Sequence, residues 1–136
     1  MSEDKAASIQ VVSAAEFSAG TSQTPGSLRL AGIAPELGIQ AGMWAGVFTV
    51  EAGARTGIHH HGAQETIAYV LEGESTVQWG ERGESTAIAR AGDFLHVPAW
   101  LPHRERNDSA DAFRWVVVRS SAEPIVVNLP DDLWGE

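Results

Sequence analysis

The sequence predicts an all-β fold, a sandwich or barrel of short strands, on two observations. Runs of four to eight β-branched or aromatic residues recur along the chain, and Gly, Pro, Asn and Asp separate them. No segment sustains a helical period. A third observation concerns chemistry. All five histidines fall between His59 and His103 of a 136-residue chain that has no cysteine.

The elements follow in order. Residues 1–27, rich in Ser, Ala, Gly and Thr, read as an N-terminal arm. Ser13 to Phe17 offers one helical turn, with Ser13 as cap and Glu16 at the third position. Strand-like runs follow at 27–33, 43–50, 66–71, 75–79, 85–89, 94–97, 104–106, 113–118 and 125–129. Turn formers close them, such as Glu51-Ala52-Gly53, Glu72-Gly73-Glu74 and Arg90-Ala91-Gly92-Asp93. The barrel is expected to span 28–129, with a tail at 130–136. The length suits one domain with an adequate core.

Composition narrows the function classes. Without cysteine there is no disulfide, iron–sulfur cluster, thiolate zinc site or cysteine nucleophile. Nine Lys and Arg against 18 Asp and Glu leave a formal charge of −9, which argues against a nucleic-acid partner. No apolar run approaches the ~20 residues that cross a bilayer, so no membrane partner is expected. Residues 1–10 lack the pattern of a signal peptide, and the expectation is a soluble cytoplasmic protein.

The chemistry centres on Gly53 to Glu65. On an extended chain alternate side chains share a face, so His59 and His61 point together and His60 points away. Two imidazoles spaced in this way can bind one metal ion. Glu65 can add a carboxylate oxygen after a turn at Gly62, which would make the ligand set shared by Fe, Mn, Zn and Ni sites. His103, beyond a Pro-bounded turn, can return a third imidazole from a distant strand. His96, on an apolar strand before Pro98, reads better as a buried histidine hydrogen-bonded to a neighbour.

These segments resemble the cupin family. Its first motif runs Gly, five residues, His-x-His, three or four residues, Glu, six residues, Gly; Gly53, His59, His61 and Glu65 fit. Its second runs Gly, five residues, Pro-x-Gly, two residues, His, three residues, Asn; Gly92, Pro98, His103 and Asn107 fit, with Trp100 in place of the inner Gly. The matches span 53–107. One departure bears on the ligands. Seven residues, not six, separate Glu65 from Gly73, so a strand keyed to Gly73 turns Val70, Ala68, Thr66 and Gln64 inward and Glu65 outward. A β-bulge near 64–67 would restore Glu65. Otherwise the site has three histidines, with Gln64 beside the metal.

The resemblance implies a cupin-type antiparallel jelly-roll β-barrel with one divalent metal ion (Fe, Mn, Zn or Ni) in its mouth. The implied ligands are His59, His61, Glu65 and His103. Trp44, Phe48, Ile67, Tyr69, Val77, Phe94 and Trp115 are candidates for the cavity wall. The expected function is that of a small mononuclear metalloenzyme, a dioxygenase-type oxidoreductase on a small organic substrate. A non-redox cyclase, isomerase or lyase, or a non-catalytic small-molecule-binding cupin, are the alternatives. A homodimer is expected, with Ser8 to Phe17 suited to strand exchange.

Overall fold

A computed structural model describes residues 7–135. Residues 1–6 of the expected arm and residue 136 of the tail lie outside the described residues. The strands are β1 (Leu28–Ile33), β2 (Trp44–Val50), β3 (His59–His60), β4 (Thr66–Glu72), β5 (Glu74–Trp79), β6 (Ser85–Arg90), β7 (Phe94–Val97), β8 (His103–Arg106), β9 (Phe113–Arg119) and β10 (Val127–Asn128). They form two five-stranded sheets of order β1-β2-β9-β4-β7 and β10-β3-β8-β5-β6, with antiparallel pairing throughout. The two sheets face each other as a jelly roll. A 3-10 turn at Ala14–Glu16 carries the Ser13–Glu16 capping box, and Ser18 then bridges to Ala31 on β1.

Period-2 patterning sets the inner faces. In β2 every second residue from Trp44 to Val50 is buried, and β9 repeats this from Phe113 to Arg119. The core gathers Trp44, Phe48, Val50, Ala68, Val70, Val77, Phe113 and Trp115. Phe48 packs against both Phe113 and Trp115 at ring-centroid distances of 6.0 and 5.3 Å, tilted arrangements that aromatic rings favour. Trp115 Nε1 donates to Ser75 Oγ at 3.2 Å.

The same alternation corrects part of the expected cavity wall. Ile67 and Tyr69 are exposed on the outer face of β4, whereas Phe94, although exposed, lines the larger cavity beside β7. Trp44, Phe48, Val77 and Trp115 do point inward.

The motif residues other than histidine make turns. A Cβ at Gly73 would lie 2.7 Å from Phe113 Cα, so the β4–β5 hairpin passes β9 too closely for any side chain. Asn107 donates from Nδ2 to the carbonyls of Val50 and Asp111 at 3.0 and 2.8 Å, tying β2 to the loop before β9. Trp100, in the position of the motif's inner Gly, has φ 67°, the left-handed region where glycine is at ease. Its amide donates to the Gly62 carbonyl at 2.8 Å, which pins the turn beside the histidine segment.

Trp100→Gly is therefore expected not to destabilise the fold. Relief of left-handed strain, about 1–2 kcal/mol, outweighs the unfolded-state entropy of glycine, about 0.4–1 kcal/mol. Thermal unfolding of the variant should show a melting temperature at or above that of the parent.

Candidate metal centre

Two strands and the turn after one of them bring three imidazoles to one point. His59 lies on β3, His61 follows it, and His103 opens β8 directly opposite His59 in the register. All three are buried. Their ring centroids stand 4.4 Å (His59–His103), 5.0 Å (His59–His61) and 5.4 Å (His61–His103) apart. One ring nitrogen from each falls within 4.8 Å of the others, a grouping that can hold a metal ion.

The tautomers follow from the partners. Nδ1 of His59 meets the Gly57 carbonyl at 2.8 Å, Nδ1 of His61 the Ile125 carbonyl at 2.8 Å, and Nδ1 of His103 the Leu101 carbonyl at 2.9 Å. A carbonyl only accepts, so each Nδ1 is the donor and each Nε2 keeps its lone pair. Three lone pairs thus turn toward the interior, each ring locked by a backbone bond of the kind that orients metal-binding histidines. His60 faces away, as expected. Its Nδ1 accepts from the Gly62 amide at 3.0 Å, and its ring lies near Trp100.

Glu65 is not brought to this point. β4 runs in regular register through Thr66 and Ile67, with no bulge there, and Glu65 is 62% exposed on the outer face. Its Oε1 lies 3.1 Å from Nε2 of His96, itself 56% exposed, so the expected buried role of His96 is corrected as well. The residue seven places before Gly73, where the motif puts its carboxylate, is Thr66, and Thr66 is buried and faces the cavity.

Gln64 is buried but spoken for. Its Nε2 donates to the Ser121 carbonyl (3.1 Å), Ser121 Oγ (2.7 Å) and the Glu123 carbonyl, and its Oε1 accepts from the Ile125 amide at 3.3 Å. It thereby fixes the segment whose Ile125 carbonyl orients His61.

The interior carboxylate is Glu105, which the sequence reading missed. Two residues after His103 on β8, it is 2% exposed, with Oε2 3.1 Å from His103 Nε2 and Oε1 3.7 Å from His59 Nε2. Thr56 Oγ1 donates to its Oε1 at 3.3 Å. The available signal was the alternation itself, since a strand that turns His103 inward turns Glu105 inward too. Burial pushes the Glu105 carboxyl up, yet His103, His59 and Arg29 together outweigh burial and hold it below the usual carboxylate range. A carboxylate facing an imidazole lone pair at 3.1 Å calls for a cation or a proton between them.

Two buried arginines complete the surroundings. Arg29 on β1 donates from Nη1 to Thr24 Oγ1 at 3.0 Å, from Nη2 toward His59 Nε2 at 3.4 Å, and stacks over Phe48. Arg119 closes β9 over the Trp44 ring. Burial lowers both guanidinium groups, Arg29 to about 10 and Arg119 to about 9, so both remain charged at neutral pH. Burial also lowers His59 to about 3 and drives His61 down, with Arg119 the largest charge acting on His61.

With three histidines, Glu105, Thr66 and both arginines on its wall, the interior cavity is small, about 10 Å³, room for one water or ion. It shares Val97 and His103 with a second cavity of about 530 Å³, which opens between β6 and β7 and is walled by Trp79, Leu95, Leu101 and their neighbours.

With the geometry in view, the comparisons assign the family. The cupin domain model matches residues 46–119, more than half of the chain, and the chain belongs to that family. Among solved structures it resembles oxalate decarboxylase from Bacillus subtilis (TM-score 0.69, 19% identity, 79% of this chain and 28% of that one). It also resembles a conserved protein with a double-stranded beta-helix domain from Klebsiella pneumoniae (TM-score 0.65, 16% identity, 81% and 90%). The chain thus spans under a third of the decarboxylase. At these identities the likeness concerns the fold. No curated protein matches the sequence. Among the described residues no helix is long and apolar enough to cross a membrane.

One expectation concerns acid. His59 titrates near 3 in the folded protein and near 6.5 when unfolded, so between these values the unfolded chain binds the extra proton and stability falls as pH falls. Denaturant midpoints of metal-stripped protein should therefore drop from pH 6.5 toward pH 3. A flat profile across that window would contradict the buried neutral imidazole.

Proposed function

We propose that the chain is a mononuclear metalloenzyme acting on a small organic molecule at the mouth of its barrel. The observation that carries this reading is the convergence of three Nε2 lone pairs, each fixed by an Nδ1–carbonyl bond, beside a buried carboxylate. His59, His61 and His103 would hold one divalent ion, with Glu105 rather than Glu65 as the adjacent carboxylate. All are nitrogen and oxygen donors, which suits Fe, Mn, Zn or Ni without choosing among them. A bound ion would supply Lewis acidity and, if it is iron or manganese, electron transfer toward dioxygen.

The chain's own groups divide the remaining work. The apolar cavity between β6 and β7 would take the body of the substrate and exclude water around it. Val97 and His103, common to both cavities, would form the threshold. Glu105, held by Thr56 and ionised, is placed to keep the imidazoles oriented and the centre electrically balanced. The finer reading is a dioxygenase-type oxidation. Homodimer formation belongs to the same proposal. Exposed Ile67, Tyr69, Leu71 and Phe94 supply an apolar face for it, and a monomer in sedimentation velocity at micromolar concentration would overturn that part.

Elemental analysis of untagged protein tests the centre. Wild type should carry close to one equivalent of metal, and His61→Ala and His103→Ala should carry none while remaining folded by circular dichroism. Retention of metal by both variants would overturn the site. Metal titration separates the two carboxylates: Glu105→Gln should weaken affinity roughly 10–100-fold, the usual effect of losing a group that orients ligands, and Glu65→Ala should leave it unchanged. Oxygen consumption with a bound substrate supports the dioxygenase reading; turnover of that substrate without oxygen uptake replaces it with a non-redox reaction.

A further inference from the structure

We infer that the interior cavity is built to receive the carboxylate of a small organic acid, with Arg119 as its main recognition residue. The inference deepens the metalloenzyme reading by naming a substrate class, and its first contact, with Arg119, does not depend on the metal.

The first argument is unpaired polarity. Trp44, Arg119 and Thr66 occupy one register row across β2, β9 and β4. Trp44 Nε1, Arg119 Nε and Nη1, and Thr66 Oγ1 are all buried and all lack a hydrogen-bond partner. Each can donate. An unpaired buried polar atom costs on the order of 1–3 kcal/mol, and more when charged, so the three that belong to the cavity wall, Arg119 Nε and Nη1 and Thr66 Oγ1, describe a site made for an acceptor.

The second argument is charge. The cavity wall holds two guanidinium groups and one carboxylate, Glu105. The enclosed charge is positive before any metal enters, and a divalent ion would make it more so. Water can satisfy a donor but cannot offset charge in a low-dielectric interior. An anionic oxygen group does both.

The third argument is shape. A guanidinium presents parallel N–H groups that match the two oxygens of a carboxylate. The inner space, about 10 Å³, has room for one oxygen of a headgroup, and the adjoining cavity of about 530 Å³, lined mostly by apolar side chains, shares Val97 and His103 with it. An acid with an apolar body fits both compartments, its carboxylate inward.

Calorimetric titration tests this with acetate, benzoate and phenylacetate against the matching neutral amides, on zinc-loaded and metal-stripped protein. Wild type should bind at least one acid roughly 10–100-fold more tightly than its amide, the range of a charge-assisted hydrogen bond. Arg119→Gln should erase that preference while its zinc content stays at the wild-type level. Arg119→Lys keeps the charge without the fork and should retain only part of it. Equal binding of acid and amide by wild type, no binding of any acid, or an undiminished preference in Arg119→Gln would overturn the inference. Should Arg119→Gln fail to fold, the wild-type comparison and Arg119→Lys still decide. If the protein takes up no metal, the metal-centre reading fails alone, and acid preference in the metal-free protein still supports the arginine site. Acid binding that vanishes with the metal and ignores Arg119→Gln assigns the anion to the metal and overturns it.

Discussion

The structure turns on three backbone carbonyls, those of Gly57, Leu101 and Ile125. Each accepts the Nδ1 proton of one histidine and so commits that ring to a single tautomer and angle. Without these bonds an imidazole in a dry interior could present either nitrogen. With them, the inward nitrogen of each ring is Nε2, the atom that can take a metal ion or a proton. Gly57 and Leu101 lie two residues before the histidines they hold, so strand geometry supplies those acceptors locally. Ile125 is distant in sequence and must be delivered. Gln64 does this by gathering residues 121–125 with its amide. A residue that touches no ligand thus sets the aim of His61.

Burying such a group imposes electrical conditions on its surroundings. Neutral imidazoles tolerate the interior, as the lowered His59 and His61 attest. Glu105 and the two arginines cannot shed their charge at neutral pH, so they have to answer one another. Glu105 has Thr56, His103 and the field of Arg29; Arg29 has Thr24, His59 and the Phe48 face. Arg119 has the Trp44 face and no hydrogen-bond acceptor for Nε or Nη1. Arg29 Nε also lacks an acceptor, but the larger imbalance sits at Arg119, on the wall of the interior cavity that His61 also lines.

Much of this was legible in the sequence because period 2 is a strict rule. The runs that end at Gly73, Gly92 and Pro98 fixed where strands stop, and His-x-His fixed which two rings share a face. The same rule, counted back from Gly73, put Glu65 outside, and β4 keeps a regular register from Thr66 to Val70, its irregularity falling between Val70 and Glu72. Other features were illegible for physical reasons. Glu105 in His103-Arg104-Glu105-Arg106 sits among charged residues that read as a solvated edge, yet three of the four are buried. Whether such a strand is covered depends on β3 and β5 closing over it, a long-range fact. Ile67 and Tyr69 failed as wall residues for the converse reason: apolar character does not say which face of a strand meets the core. Trp100 shows a third kind of limit. A residue that ordinarily avoids φ near 67° holds a glycine position because the Gly62 carbonyl secures its amide.

The acidic composition acquires a different meaning against this interior. A surface carrying a formal charge of −9 repels small anions at long range, while the innermost compartment concentrates positive charge behind an apolar antechamber. Salt screens the surface repulsion within about 10 Å at ordinary ionic strength, but it does not reach a closed cavity. Selectivity would therefore arise at the threshold of Val97 and His103 rather than during approach. A small inorganic anion crossing that threshold must shed its water and recovers only the arginine contact. An organic acid loses less, since its apolar body belongs in the outer cavity and only its headgroup must be paired within. The polar and apolar compartments together, rather than either alone, discriminate in favour of an amphiphilic acid.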